Sequence, residues 1–174
     1  MTDEGSNLQD LEVITLHSAR RAQELAAMLW ALASAHYPAQ HEPVLNAASQ
    51  ATIETISNLA LNARRSMEAL PANGQSFPLT QSRWTWQPTE SSSSIPMVKN
   101  LREALNGVIH AQALYVGFEK LPDAVDTIDG GALVIPYVQI RTDRKELSFV
   151  DPFAVAHAFL YGPLPTLLGL AGNG

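Results

Sequence analysis

Arg102 and His110 are the side chains of this 174-residue chain best placed for phosphate and acid–base chemistry. A guanidinium stays charged and binds phosphate oxygens, while an imidazole changes charge near neutral pH. Both lie in the stretch Leu101-Arg102-Glu103-Ala104-Leu105-Asn106-Gly107-Val108-Ile109-His110. On a helix, Lys99, Arg102, Glu103, Asn106 and His110 fall within an arc of about 100°. Met97, Val98, Leu101, Leu105, Val108 and Ile109 form the opposite, apolar face. The polar stripe reads in two ways. It is either a cationic, hydrogen-bonding strip or the solvated side of an amphipathic helix, with Lys99 and Glu103 as an i,i+4 pair.

Other groupings are sparser. His36 and His41 flank Pro38 in a loop, and a zinc site there would need a third ligand from elsewhere. With no metal-binding run in the sequence they read as ordinary loop histidines, and no metal is expected. His17 and His157 stand alone on helices and read as structural. Trp84 and Trp86 share a face if their segment is a strand, as core anchors or as a platform for stacking bases. Arg20-Arg21 and Arg64-Arg65 could join Lys99 and Arg102 only if the first two helices flank the third. No phosphate-loop, dinucleotide or esterase motif is present, so no cofactor is expected.

The Leu101–His110 stretch resembles the HEPN family, helical nucleic-acid-associated proteins whose late helix reads roughly Leu-Arg-Asn-Ala before a histidine. The layout is also similar: two long antiparallel helices, a loop, a motif helix and then variable elements. The resemblance implies metal-independent ribonuclease chemistry, or RNA binding by a catalytically silent relative. His110 would act as general base or acid at a ribose hydroxyl or leaving oxygen, and Arg102 would stabilise charge on the phosphate. Lys99, Glu103 and Asn106 would support them. It also implies a homodimer paired through the motif helices. Seven residues separate Arg102 from His110 here, where the family has a histidine four to six residues on. Convergence on one phosphate therefore needs a kink near Gly107 or a two-fold axis near Asn106.

These residues must be positioned by a scaffold whose periodicities are legible. The region of about 8–35 has helically spaced Leu and Ala with neither Gly nor Pro inside. The next helix, about 43–70, carries Leu45, Ala48, Thr52, Ile56, Leu59, Ala63, Met67 and Leu70 in steps of three or four. A short Pro-flanked link makes the two an antiparallel hairpin. Residues 72–94 read as a loop with one short strand. The motif helix spans about 96–113, with Ser94 as cap and Pro96 in its first turn. A β-hairpin is predicted over about 132–150, where Pro136 implies an edge strand or a bulge. Asp151-Pro152 starts a last helix to about 161, followed by an extended apolar tail. The expected fold is mainly α: an antiparallel helical bundle with a C-terminal β-hairpin and a short final helix, in one domain over 1–174.

Composition narrows the classes. Eleven basic against 17 acidic side chains give a net charge of −6, without the basic footprint of a nonspecific nucleic-acid binder. Apolar residues at 46% and charged ones at 16% exclude a disordered chain, and the absence of cysteine excludes disulfides and thiolate chemistry. The longest apolar run, 26–35, is about half a membrane span. A cytoplasmic protein without membrane association is expected. Its partners would be a second copy, RNA or another protein. The second functional class is a non-catalytic helical protein-interaction or accessory subunit, favoured by the acidic charge.

Overall fold

The computed structural model describes residues 4–71, 75–84, 95–120, 132–143 and 147–171. In chain order the elements are α1 (Glu4–Ser34), β1 (Tyr37–Pro38), α2 (Glu42–Met67), α3 (Leu101–Ile109), β2 (Ala111–Lys120), β3 (Ala132–Thr142), β4 (Ser148–Val150), α4 (Pro152–Tyr161) and α5 (Pro163–Ala171). The fold is α/β, with helices against a four-stranded antiparallel sheet, and not the mainly helical bundle expected from the sequence. The finding that overturns that expectation is the long β2–β3 ladder. Val138 and Ile140 of β3 belong to the same buried core as the helices, so the sheet is part of the core and not an appendage.

α1 packs against α2, α4, α5 and β3. Its buried face is Ala19, Ala22, Leu25, Ala26, Leu29 and Ala33, where small residues let neighbouring elements approach closely. α2 buries Ala48, Thr52, Ile56, Leu59, Ala63 and Met67, the stripe whose spacing is visible in the sequence. The Thr52 hydroxyl donates to the Ala48 carbonyl at 2.8 Å, so this polar group is satisfied within the helix. The link between the two helices contains β1, which pairs with Leu133 and Ala132 of β3.

β3 is the central strand. β2 pairs along one side, while β1 and β4 share the other side at opposite ends. Pro136 therefore lies in a central strand, and of the two alternatives a proline allows, a bulge applies. Neither β1 nor β4 pairs with residues 134–137, and the β2 register shifts between Gly117↔Tyr137 and Glu119↔Val134. The missing N–H falls where neither ladder needs it. Gly117 is held by shape: a Cβ there would lie 2.1 Å from the Tyr137 ring. That ring packs on Phe149 at 4.6 Å between centroids, joining β2, β3 and β4 across one face.

Three local expectations are corrected. The motif helix occupies Leu101–Ile109 rather than 96–113, because Pro96–Val98 lies along β4 instead, with Val98 N–H to Phe149 O and Phe149 N–H to Pro96 O both at 2.9 Å. The cap is accordingly Asn100, whose Oδ1 accepts the Arg102 N–H at 2.9 Å, and not Ser94, which lies outside the described residues. The expected extended tail is α5: Pro163 and Pro165 both fall in its first turn, where a helix needs no N–H. Residues Pro152–Leu170 have mean hydropathy 1.4 over a span long enough to cross a bilayer by length and composition, and half of that window is buried in the fold.

Asp151 caps α4. Its Oδ1 accepts the Ala154 N–H at 3.0 Å and its Oδ2 accepts the Ser82 hydroxyl at 2.6 Å. Burial pushes its carboxyl above the ordinary range, and the hydrogen bonds from Ser82, Ala154 and Phe153 pull the other way.

Candidate functional site

α3 is amphipathic and short. Leu101, Ala104, Leu105 and Val108 are buried against α2, α4 and the sheet, which leaves Glu103 and Asn106 facing out. The helix is continuous through Gly107 and ends at Ile109, where His110 takes a non-helical backbone (φ −96°, ψ 11°) and its N–H bonds Asn106 O at 3.0 Å. A Cβ built on Gly107 would meet Ile140 Cδ1 at 3.5 Å, an ordinary contact, so α3 and β3 cross closely here.

The end of β3 beside α3 completes an open cleft of about 680 Å³. Asn100, Arg102, Asn106 and His110 line one side, with Glu103 and Gly107; Thr142 and Asp143 line the other. Arg102 is half-buried and His110 exposed. Arg102 also borders a smaller hollow of about 470 Å³ beside the end of α2. A third depression, about 710 Å³, adjoins the cleft through Glu103, Gly107 and Thr142. It is walled by Ile95, Met97, Val98, Ile140 and Leu147. Arg141 and Ser148 also line this depression, so it combines aliphatic walls with polar side chains.

Four of the five residues read from the stripe line this cleft. The fifth, Lys99, does not: it precedes the helix in extended chain, its carbonyl accepting the Leu79 N–H at 2.8 Å. The i,i+4 geometry with Glu103 is therefore not available to it. Charge in the cleft is mixed. Arg102 and His110 share the lining with two carboxylates, Glu103 beside them on α3 and Asp143 on the other side, and Asp143 lies beyond the reach of local spacing. Thr142 is remote for the same reason, whereas Asn100 is local: an asparagine one residue before an apolar helical run is a recognisable cap signal.

The remaining candidates are placed elsewhere. Trp84 donates its indole N–H to Ala33 O at 2.7 Å, satisfying a carbonyl at the end of α1, and packs near His36 at 5.4 Å between centroids. Arg83 lies 5.5 Å over the same ring. Trp84 is therefore an anchor for its loop, while Trp86 lies outside the described residues. His41 is exposed and precedes α2. No group of three or more residues able to hold a metal occurs among the described residues. His157 packs in an aromatic cluster, stacked on Trp30 at 5.8 Å and on Tyr161 at 4.6 Å, with those two rings 6.4 Å from each other. His17 is exposed on α1. Arg21 pairs with Glu24 at 2.8 Å, and neither Arg20-Arg21 nor Arg64-Arg65 borders the cleft.

No family model matches the chain, and neither a curated protein nor a solved structure does.

Proposed function

We propose that this chain is a HEPN-like RNA-binding protein that takes a single strand in the cleft beside α3, with Arg102 and His110 as its phosphate and ribose contacts. The observation that supports this reading is that both residues border one cleft, together with the hydrogen-bonding side chains of Asn100, Asn106 and Thr142. Their Cα atoms are separated by roughly 12 Å of helical rise. That spacing suits contact with two points of one strand better than joint action on one phosphate, so binding ranks above cleavage. If cleavage occurs, the roles are those of a metal-independent ribonuclease, with His110 moving the proton and Arg102 meeting charge on the phosphate.

The test is titration of a labelled single-stranded RNA by fluorescence anisotropy, with cleavage followed in parallel in chelator. Arg102→Ala is expected to weaken binding about tenfold, the effect of losing one charge-assisted contact of about 1.4 kcal/mol. It should also lower the slope of log affinity against log salt by about 0.7. His110→Ala should weaken binding less and abolish any cleavage. Affinity unchanged in both variants rejects the assignment.

A second reading, a non-catalytic protein-interaction or accessory subunit, is favoured by specific features. Glu103 and Asp143 line the same cleft as Arg102, the net charge is −6, and Val13, Ile14, Met28 and Leu61 are exposed on α1 and α2. Under this reading no RNA binds at any salt concentration.

A further inference from the structure

β2 ends the sheet on one side, and the two sides of the sheet are treated differently. On the far side of β3 lie β1 and β4, and β4 is itself bordered by Pro96–Val98. Among the described residues, nothing pairs with the outer side of β2. Proteins ordinarily shield such an edge with charges, prolines or cover, because its free N–H and C=O groups recruit other strands. The eight residues Ala111–Phe118 contain no charge and no proline. Their apolar side chains are half-buried at best, whereas β3 buries Ala132, Val134, Ile135, Pro136, Val138 and Ile140.

The geometry of the strand narrows the occupant. Its register with β3 shifts between Ala111 and Ala113 and again between Gly117 and Glu119, so the regular stretch is Ala113–Gly117. Tyr115 is the midpoint of that stretch, and it is 56% exposed. We propose that Ala113–Gly117 pairs antiparallel with the same stretch of a second copy, about a two-fold axis at Tyr115, joining the two sheets into one. A two-fold contact requires a patch complementary to itself. This one is: the pairing opposes Ala113 to Gly117, Leu114 to Val116 and Tyr115 to Tyr115, small to small and aliphatic to aliphatic. No like charges meet there, although each copy carries −6 overall. The pairing is independent of the RNA reading and places the interface on β2 rather than on the motif helix.

The full chain is tested by sedimentation velocity over a wide concentration range, where a monomer–dimer equilibrium is expected. Tyr115→Lys sets two ammonium groups against each other at an exposed position, so it should give a folded monomer with the circular dichroism of the wild type. The chain has no cysteine, so Tyr115→Cys introduces its single thiol. Mild oxidation should then trap a covalent dimer, since directly opposed residues in antiparallel strands are close enough for a disulfide. Gln112→Cys, also exposed, faces Phe118 of the second copy in this register and should not be trapped. A wild type that stays monomeric overturns the proposal. So does a dimer unaffected by Tyr115→Lys, or one trapped as readily through Gln112→Cys as through Tyr115→Cys.

Discussion

Replacing Asp151 separates two consequences of burying a carboxylate. The side chain caps α4 through the Ala154 N–H and ties the Ser82 segment to it, yet the residue is only 9% exposed and burial raises its pKa. Asp151→Ala removes the cap, at about 1 kcal/mol. It also leaves the Ser82 hydroxyl without its acceptor, about 1 kcal/mol more. The sum, about 2 kcal/mol, should lower the melting temperature of a chain this size by about 4–8 °C. Asp151→Asn keeps an oxygen for the cap and carries no charge, so its cost should be well under that of Ala. The sign of the pH dependence follows from the direction of the shift. A folded-state pKa above the unfolded one means the native state binds more protons between the two values. The contribution of Asp151 is therefore full at low pH and is lost as pH rises from the ordinary carboxylate range through the raised value. Wild type should gain on Asp151→Asn as the pH falls from neutrality into that interval. Urea unfolding followed by tryptophan fluorescence at several pH values measures this. Equal costs for Asn and Ala, or a wild-type-to-Asn difference that ignores pH, would refute the reasoning.

Two glycines give sharper steric outcomes. Gly117→Ala drives a methyl group into the Tyr137 ring, which is backed by Phe149 and hydrogen-bonded to Glu119. Such overpacking should cost about 1–3 kcal/mol in urea unfolding, and markedly less in a Tyr137→Ala background. Gly162→Ala would place its Cβ 2.5 Å from the Ala158 carbonyl oxygen and 2.7 Å from Phe77 Cδ1. Backbone cannot swing aside as a side chain can, so a loss of about 1–3 kcal/mol is expected there too, measured the same way.

The two long helices were readable because nothing interrupts them. Ala48, Thr52, Ile56, Leu59, Ala63 and Met67 step by threes and fours, and that stripe is the buried face of α2. The sheet was hidden where its strands depart from a two-residue period. In β2, Ala113 and Leu114 are adjacent and irregular pairing occurs at both ends of Ala113–Gly117, so apolar residues do not alternate cleanly. Val108, Ile109 and Ala113 then extend a helical stripe as naturally as they begin a strand, so local spacing predicts a longer motif helix than the one formed. Pro136 carried a true signal, a gap in hydrogen bonding, but one proline cannot say whether its strand is at an edge or bulged. Pro163 and Pro165 misled in the opposite direction, because proline breaks a helix interior yet suits a first turn.

The candidate site shows the same limit from the side of chemistry. Arg102, Glu103, Asn106 and His110 could be grouped from spacing alone, because three of them share a nine-residue helix and His110 closes it. The opposite wall could not, since Thr142 and Asp143 reach α3 only through the packing of β3. That packing brings α3 against Ile140 beside Gly107, and the ladder holds β3 against β2. The shortened helix also changes what the pair can do. His110 stands at the junction of α3 and β2, off the helical stripe, so its position is set by the sheet as much as by the helix. Arg102, held by the Asn100 cap at the other end, is set by the loop segment whose Ser76 hydroxyl accepts from Asn100 Nδ2 at 2.9 Å. The two residues are thus anchored by different parts of the fold. A change in β2 should act on His110 and leave Arg102 in place.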